Sequence, residues 1–166
     1  MNDSIRPDLS SLAVGDEICR SERTLTRTDL VRYAGASGDF NPIHYNDAAA
    51  ESAGLPGVIA HGMLTMGSTI APLLDAIGDP GAVREYSARF TKPILVPGDG
   101  SATLLIVGTV GAIDETAGTA RIDLNAEVDG VKVLGRARAV IALPRTGAAG
   151  AASDAASDAN GAGATA

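Results

Sequence analysis

Residues 62–77 read Gly62-Met63-Leu64-Thr65-Met66-Gly67-Ser68-Thr69-Ile70-Ala71-Pro72-Leu73-Leu74-Asp75-Ala76-Ile77. Met63, Leu64, Met66, Ile70, Leu73, Leu74 and Ile77 spread around most of the circumference of a helix. A helix that is apolar on most sides is wrapped by other structure rather than laid on a surface. Pro72 removes one backbone donor inside it and predicts a kink. With Val58 to Ala60 ahead of it the apolar stretch is about as long as a bilayer is thick. His61, Pro72, Asp75 and the Gly, Ser and Thr content fit a buried helix instead, so no membrane span is expected.

Downstream of that helix the period changes from helical to alternating. Tyr86, Ala88 and Phe90 alternate with polar residues, and Ala102 to Val110 is a near-continuous apolar run, the pattern of a strand buried on both faces. In 119–128, Ala120, Ile122, Leu124, Ala126 and Val128 alternate with Thr119, Arg121, Asp123, Asn125 and Glu127. Asp129-Gly130 tolerates positive φ at both positions and predicts a two-residue hairpin turn. The returning strand carries Val131, Val133, Gly135, Ala137, Ala139, Ile141 and Leu143 on one face. Upstream, a short strand near Asp16 to Leu25 precedes a helix. Thr26 and Asp29 form its capping box and Gly35 is its natural stop. A second short helix is expected from Asp47 to Ala53, ended by Gly54. The class is α+β: an antiparallel sheet of about five strands wrapped around one long central helix.

The 166 residues are 45% hydrophobic and 20% charged, enough for one globular domain. Residues 1–144 form that domain. From Arg145 to Ala166 the chain is almost wholly Ala, Gly, Ser, Asp and Thr, which predicts a disordered tail. The net charge is −7, with no basic run, which argues against binding a nucleic-acid backbone. Cys19, the one cysteine, reads as a reduced core thiol. The opening MNDSIRPDLS lacks the apolar core of a secretory signal, and the chain reads as cytoplasmic.

Two stretches could carry chemistry. In Ser37-Gly38-Asp39-Phe40-Asn41-Pro42-Ile43-His44, Pro42 shapes a loop on which a carboxylate and an imidazole can face one small volume. An unperturbed imidazole with a pKa of about 6.5 moves protons at neutral pH, and a carboxylate can orient it or share a water with it. The alternative is a solvated turn, because Ser, Gly, Asp, Asn and Pro are turn formers in any case. In Ala60-His61-Gly62, glycine at a helix N-terminus lets a ligand oxygen approach free N–H groups. A plain capping glycine explains Gly62 equally well, and His61 reads as a structural or loop histidine. His44 and His61 are 17 residues apart with no cysteine nearby, so no metal site is expected.

The run from Tyr33 to His44 resembles the signature of the MaoC-like (R)-specific enoyl thioester hydratases. Ile59-Ala60-His61-Gly62-Met63-Leu64 resembles the start of that family's central "hot dog" helix. Thr65-Met66-Gly67 and Gly78-Asp79-Pro80-Gly81-Ala82-Val83 bring it nearest to the catalytic beta subunits of actinobacterial (3R)-hydroxyacyl-ACP dehydratases. The resemblance covers about residues 12 to 143 and implies reversible addition of water to trans-2-enoyl thioesters of CoA or acyl carrier protein. It implies Asp39 and His44 as catalytic residues, the Gly62 N–H as oxyanion donor, Asn41 and Thr65 as supports, and no cofactor. It also implies a homodimer, or a heterodimer with a related hot-dog subunit. Two other hot-dog readings are a non-catalytic acyl-binding subunit and a thioesterase. The Asp/His pair argues against the first. Against the second, the only acid on the helix, Asp75, is near its C-terminal end. Arg84, Arg89, Lys92, Arg136 and Arg138 are either phosphate contacts or solvated strand faces.

Overall fold

The computed structural model describes residues 8–144; the tail expected over 145–166 lies outside them. Glu17–Thr26 forms β1, and the chain turns directly into α1, Arg27–Ser37. Thr26 Oγ1 and the Asp29 carboxylate make the reciprocal capping box, with Asp29 held below the usual carboxylate range by the Thr26 hydroxyl and N–H. Gly35 does not stop this helix. It ends at Gly38, which takes the left-handed conformation (φ 75°) and donates its N–H to the Ala34 carbonyl. A single 3-10 turn over Pro42–His44 and the short α2, Asp47–Ser52, follow. Arg27 clamps Asp47 with two hydrogen bonds of 2.7 and 3.2 Å, tying α1 to α2 across the loop between them.

The long helix α3 spans Gly62–Ile77 and continues through Pro72. Then come β2 (Val83–Phe90), β3 (Ser101–Asp114), β4 (Thr119–Val128), β5 (Val131–Lys132) and β6 (Leu134–Ala142). The sheet order is β1-β3-β4-β6-β2, every pair antiparallel, with the two-residue β5 paired to β4. The five longer strands match the number expected, with a hairpin tip added, and the sheet has the hot-dog arrangement. Asp129 (φ 51°) and Gly130 (φ 73°) make the two-residue turn. The returning strand is not continuous. Val128 pairs with Val131 but Leu124 pairs with Ala137, a two-residue slip taken up around Val133 and at Arg136, whose φ is 53°.

Helix α3 packs on β1, β3 and β4. Leu25, Leu104, Ile106, Val110, Ile122 and Ile141 fill the space beneath it, all fully buried. Two expectations need correction. First, β3 is buried on one face only: Ala102, Leu104, Ile106, Gly108 and Val110 point inward, while Leu105 and Val107 on the other face are half-buried. An antiparallel sheet covered by a helix on one side leaves the other open, whatever the hydropathy of the run. Second, α3 is not wrapped all round. Its buried stripe is Thr65, Ser68, Thr69, Leu73 and Ile77, whereas Met63 is 60% exposed and Leu64, Met66 and Ile70 are half-buried. A Cβ at Gly108 would lie 2.6 Å from Cys19 Sγ, and register shifts interrupt both flanking ladders.

Candidate active site

The loop after α1 is built by local hydrogen bonds. Asn41 Oδ1 accepts from the Ile43 N–H at 3.3 Å, capping the 3-10 turn, and the Asn41 N–H donates to Asp39 Oδ1 at 3.2 Å. The Ile59 N–H donates to the Ile43 carbonyl at 3.2 Å, joining this loop to the strand-like segment that leads into α3. His44 is thereby buried against residues 59–61, while the Asp39 side chain stays half exposed.

His44 Nδ1 lies 2.8 Å from the Ile59 carbonyl oxygen. A carbonyl only accepts, so Nδ1 carries the proton and Nε2 presents a lone pair. That Nε2 stands 3.9 Å from Asp39 Oδ2. Two acceptors at this separation do not bond each other; they bracket a donor with two hydrogens. A water about 2.8 Å from each would subtend roughly 90° between them, near its own bond angle.

Gly62 opens α3. The first N–H groups of a helix have no intrahelical partner, and the N-cap residue His61 makes no side-chain capping bond to them. A Cβ at Gly62 would sit 3.3 Å from the Phe90 ring, so the backbone is approached closely there. His44, Gly62 and Thr65 line one cleft of about 330 Å³, together with Phe90, Lys92, Ile94 and Val133. Asp39 and Asn41 are not among its lining residues; Asp39 reaches toward His44 from the solvent side. Thr65 is buried, and its hydroxyl donates to the His61 carbonyl at 3.2 Å rather than to Asp39. Of the five cations singled out, Lys92 faces the cleft, whereas Arg138 is paired with Asp123 at 3.1 Å.

The residue that sequence reasoning undervalued is His61. It is 1% exposed and its ring stacks on His44, centroids 3.8 Å apart at 24°. The available signal was its place directly before Gly62, but the 16 residues of chain between His44 and His61 hide the stack. Asp39, His44 and His61 bring one potential ligand atom each within 4.8 Å of one another. Zinc needs in-plane ring nitrogens converging on one point at about 2.0–2.1 Å. Stacked rings send their in-plane lone pairs side by side, and His44 Nδ1 and His61 Nε2 each bond a carbonyl. The constellation suits proton transfer better than a metal.

The MaoC-like domain family model matches residues 11–128. The 3-hydroxyacyl-thioester dehydratase X of Mycobacterium tuberculosis is 48% identical over 73 residues, 44% of this chain and 25% of that protein. A solved structure of a MaoC-like dehydratase superposes with a TM-score of 0.80 at 38% identity, covering 84% of this chain and 43% of the other. The (R)-hydratase from A. caviae involved in PHA biosynthesis superposes with a TM-score of 0.71 at 26% identity, covering 81% of this chain and 98% of that one. The chain thus spans less than half the length of the first two relatives. Among the described residues no helix is long and apolar enough to cross a membrane. With most of its length matched by the family model and its fold shared with these relatives, the chain belongs to the MaoC-like domain family.

Proposed function

We propose that this chain hydrates trans-2-enoyl thioesters of CoA or acyl carrier protein reversibly, giving (R)-3-hydroxyacyl thioesters. The carrying observation is the pair of acceptors, His44 Nε2 and Asp39 Oδ2, 3.9 Å apart, with His44 lining the same cleft as Gly62 at the start of α3. A water bound by both its hydrogens turns a lone pair toward C3 of the substrate. As the C3–O bond forms, one water proton passes to the pair, which hands it on to C2, so the whole of the water is added. Charge gathers meanwhile on the thioester oxygen, where the Gly62 N–H and the positive end of α3 stabilise it. One such donor is worth about 3 kcal/mol. Asn41 serves as support through its backbone N–H on the Asp39 carboxylate, and Thr65 through its bond to the His61 carbonyl. The relatives named as a thioester dehydratase and an (R)-hydratase support the same chemistry. A thioesterase reading is the weaker one: the first turn of α3 holds no acid.

The working form is a dimer, with a second copy or a related hot-dog subunit. Among the described residues strand β2 is bonded on one side only, to β6, and no residue of it is fully buried, so an open edge runs beside the cleft that Phe90 lines. The compartment we assign is the cytoplasm, which suits the buried free thiol of Cys19.

The test follows the loss of the unsaturated thioester absorbance with crotonyl-CoA and longer enoyl-CoAs, using the chain alone and then with candidate partner subunits. Free CoA is titrated in parallel. Absorbance loss without thiol release supports the hydratase. Thiol release, or no reaction in any combination, rejects it.

A further inference from the structure

His44, which lines the cleft, and the buried His61 stacked on it are locked by different carbonyls and carry opposite tautomers. His44 donates from Nδ1 to Ile59, whereas His61 lies with Nε2 3.2 Å from the Asp39 carbonyl oxygen and donates from there. Nδ1 of His61 is left buried without a partner among the described residues. A buried nitrogen in that state costs stability, and a side chain that caps would avoid the cost. The other helical segments use such residues: the side chains of Thr26, Asn41 and Asn46, and of Asp79 before the 3-10 turn Pro80–Ala82, all accept a capping N–H. At α3 an imidazole stands in that place and caps nothing. On the side of α1, Tyr33 closes over it, ring centroids 4.9 Å apart.

We propose that His61 is a positioning residue for the hydration reaction: its face fixes the plane of the His44 ring and its Nε2–H pins the main chain of Asp39. This rests on reading Asp39 and His44 as the water-handling pair. One side chain then holds one member of the pair by its face and the other by its edge, and so sets the gap between the two acceptors. The platform works while it is neutral, because a second charge 3.8 Å from a protonated His44 would repel it. Burial pushes the His61 imidazole below its ordinary range. The neighbouring His44 adds to this, while the Asp39 carbonyl and carboxylate oppose it. Tyr33, Asp39 and His44 are the titratable groups that face it. A neutral ring also offers its π face to His44 whenever His44 holds the proton.

The experiment has two arms, both on the full chain. His61→Gln keeps an N–H donor and loses the ring; His61→Phe keeps a ring and loses the donor. With crotonyl-CoA, kcat of His61→Gln falls at least about tenfold while KM stays within about threefold, and His61→Phe keeps more of kcat than His61→Gln. An unchanged kcat, or a loss carried by KM, overturns the proposal. The second arm needs neither variant nor turnover. Long-range nitrogen–proton NMR of the wild type above about pH 6.5 finds His61 neutral and protonated on Nε2, and neutral His44 protonated on Nδ1. A charged His61 in that range, or one protonated on Nδ1, overturns it. Wild type that turns over no enoyl thioester yet shows these tautomers rejects the hydratase reading and leaves the ring arrangement standing.

Discussion

Asp39→Asn removes a charge and almost nothing else. The amide oxygen of asparagine can accept the Asn41 N–H that Asp39 Oδ1 accepts at 3.2 Å, so the loop keeps its shape. What is lost is a negative charge 3.9 Å from His44 Nε2. A unit pair at that distance is worth about 1 kcal/mol in water-like surroundings and about 4 kcal/mol at an effective dielectric of about 20. The Asp39 side chain is half exposed and His44 is buried, so the value lies between. Losing it from a transition state with the proton on His44 costs between about fivefold and about a thousandfold. The substitution also removes one member of the proposed proton-transfer pair, typically worth about 10²–10⁴. Together these give a fall in kcat/KM for crotonyl-CoA of at least about a hundredfold, with the thermal midpoint moving by less than about 3 °C. His44→Ala falls by at least as much. The assay is the initial rate of absorbance loss at matched protein concentration, beside a melting curve. A folded Asp39→Asn protein within about fivefold of wild type would refute the two-acceptor mechanism.

Three further outcomes follow from the packing and the titrating groups. Burial pushes the Cys19 thiol up to about 11, so a thiol reagent at about pH 8 labels the native chain slowly and the denatured chain at once; rapid native labelling would contradict the buried strand position. The folded state holds His61 below its unfolded value of 6.5. The unfolded chain therefore binds the proton first as pH falls, and the His61 contribution is present above about pH 6.5 and lost below it. The thermal midpoint should drop between about pH 7 and 5 in wild type and drop less in His61→Gln, and equal slopes would contradict a neutral buried ring. Gly108→Ala would put a Cβ 2.6 Å from Cys19 Sγ and 3.2 Å from Leu124 Cδ2. Urea denaturation should show about 1–3 kcal/mol lost, and a change below about 0.5 kcal/mol would mean the strands are not so close.

Features that depend on neighbours in sequence are legible in the sequence itself. The Thr26–Asp29 capping box, the alternation of Ala120, Ile122, Leu124 and Ala126, and the Asp129-Gly130 turn all appear where the pattern put them. Gly35 misled because a glycine ends a helix only if the chain turns there; the left-handed residue is Gly38, three positions on. Leu105 and Val107 misled because hydropathy cannot distinguish a strand covered on both faces from one covered on a single face.

By itself the sequence determined the elements, their order and the loop that brings Asp39 near His44, because short-range sterics, capping and alternation act within a few residues. The tertiary structure alone decided that the deepest stripe of α3 is Thr65, Ser68 and Thr69 rather than its methionines. It alone decided that His61 lies flat on His44. Both depend on where the chain from Val58 to Gly62 meets the loop and on which side of the helix the sheet closes. Those are contacts between residues far apart in sequence, and they are settled only when the whole core packs at once.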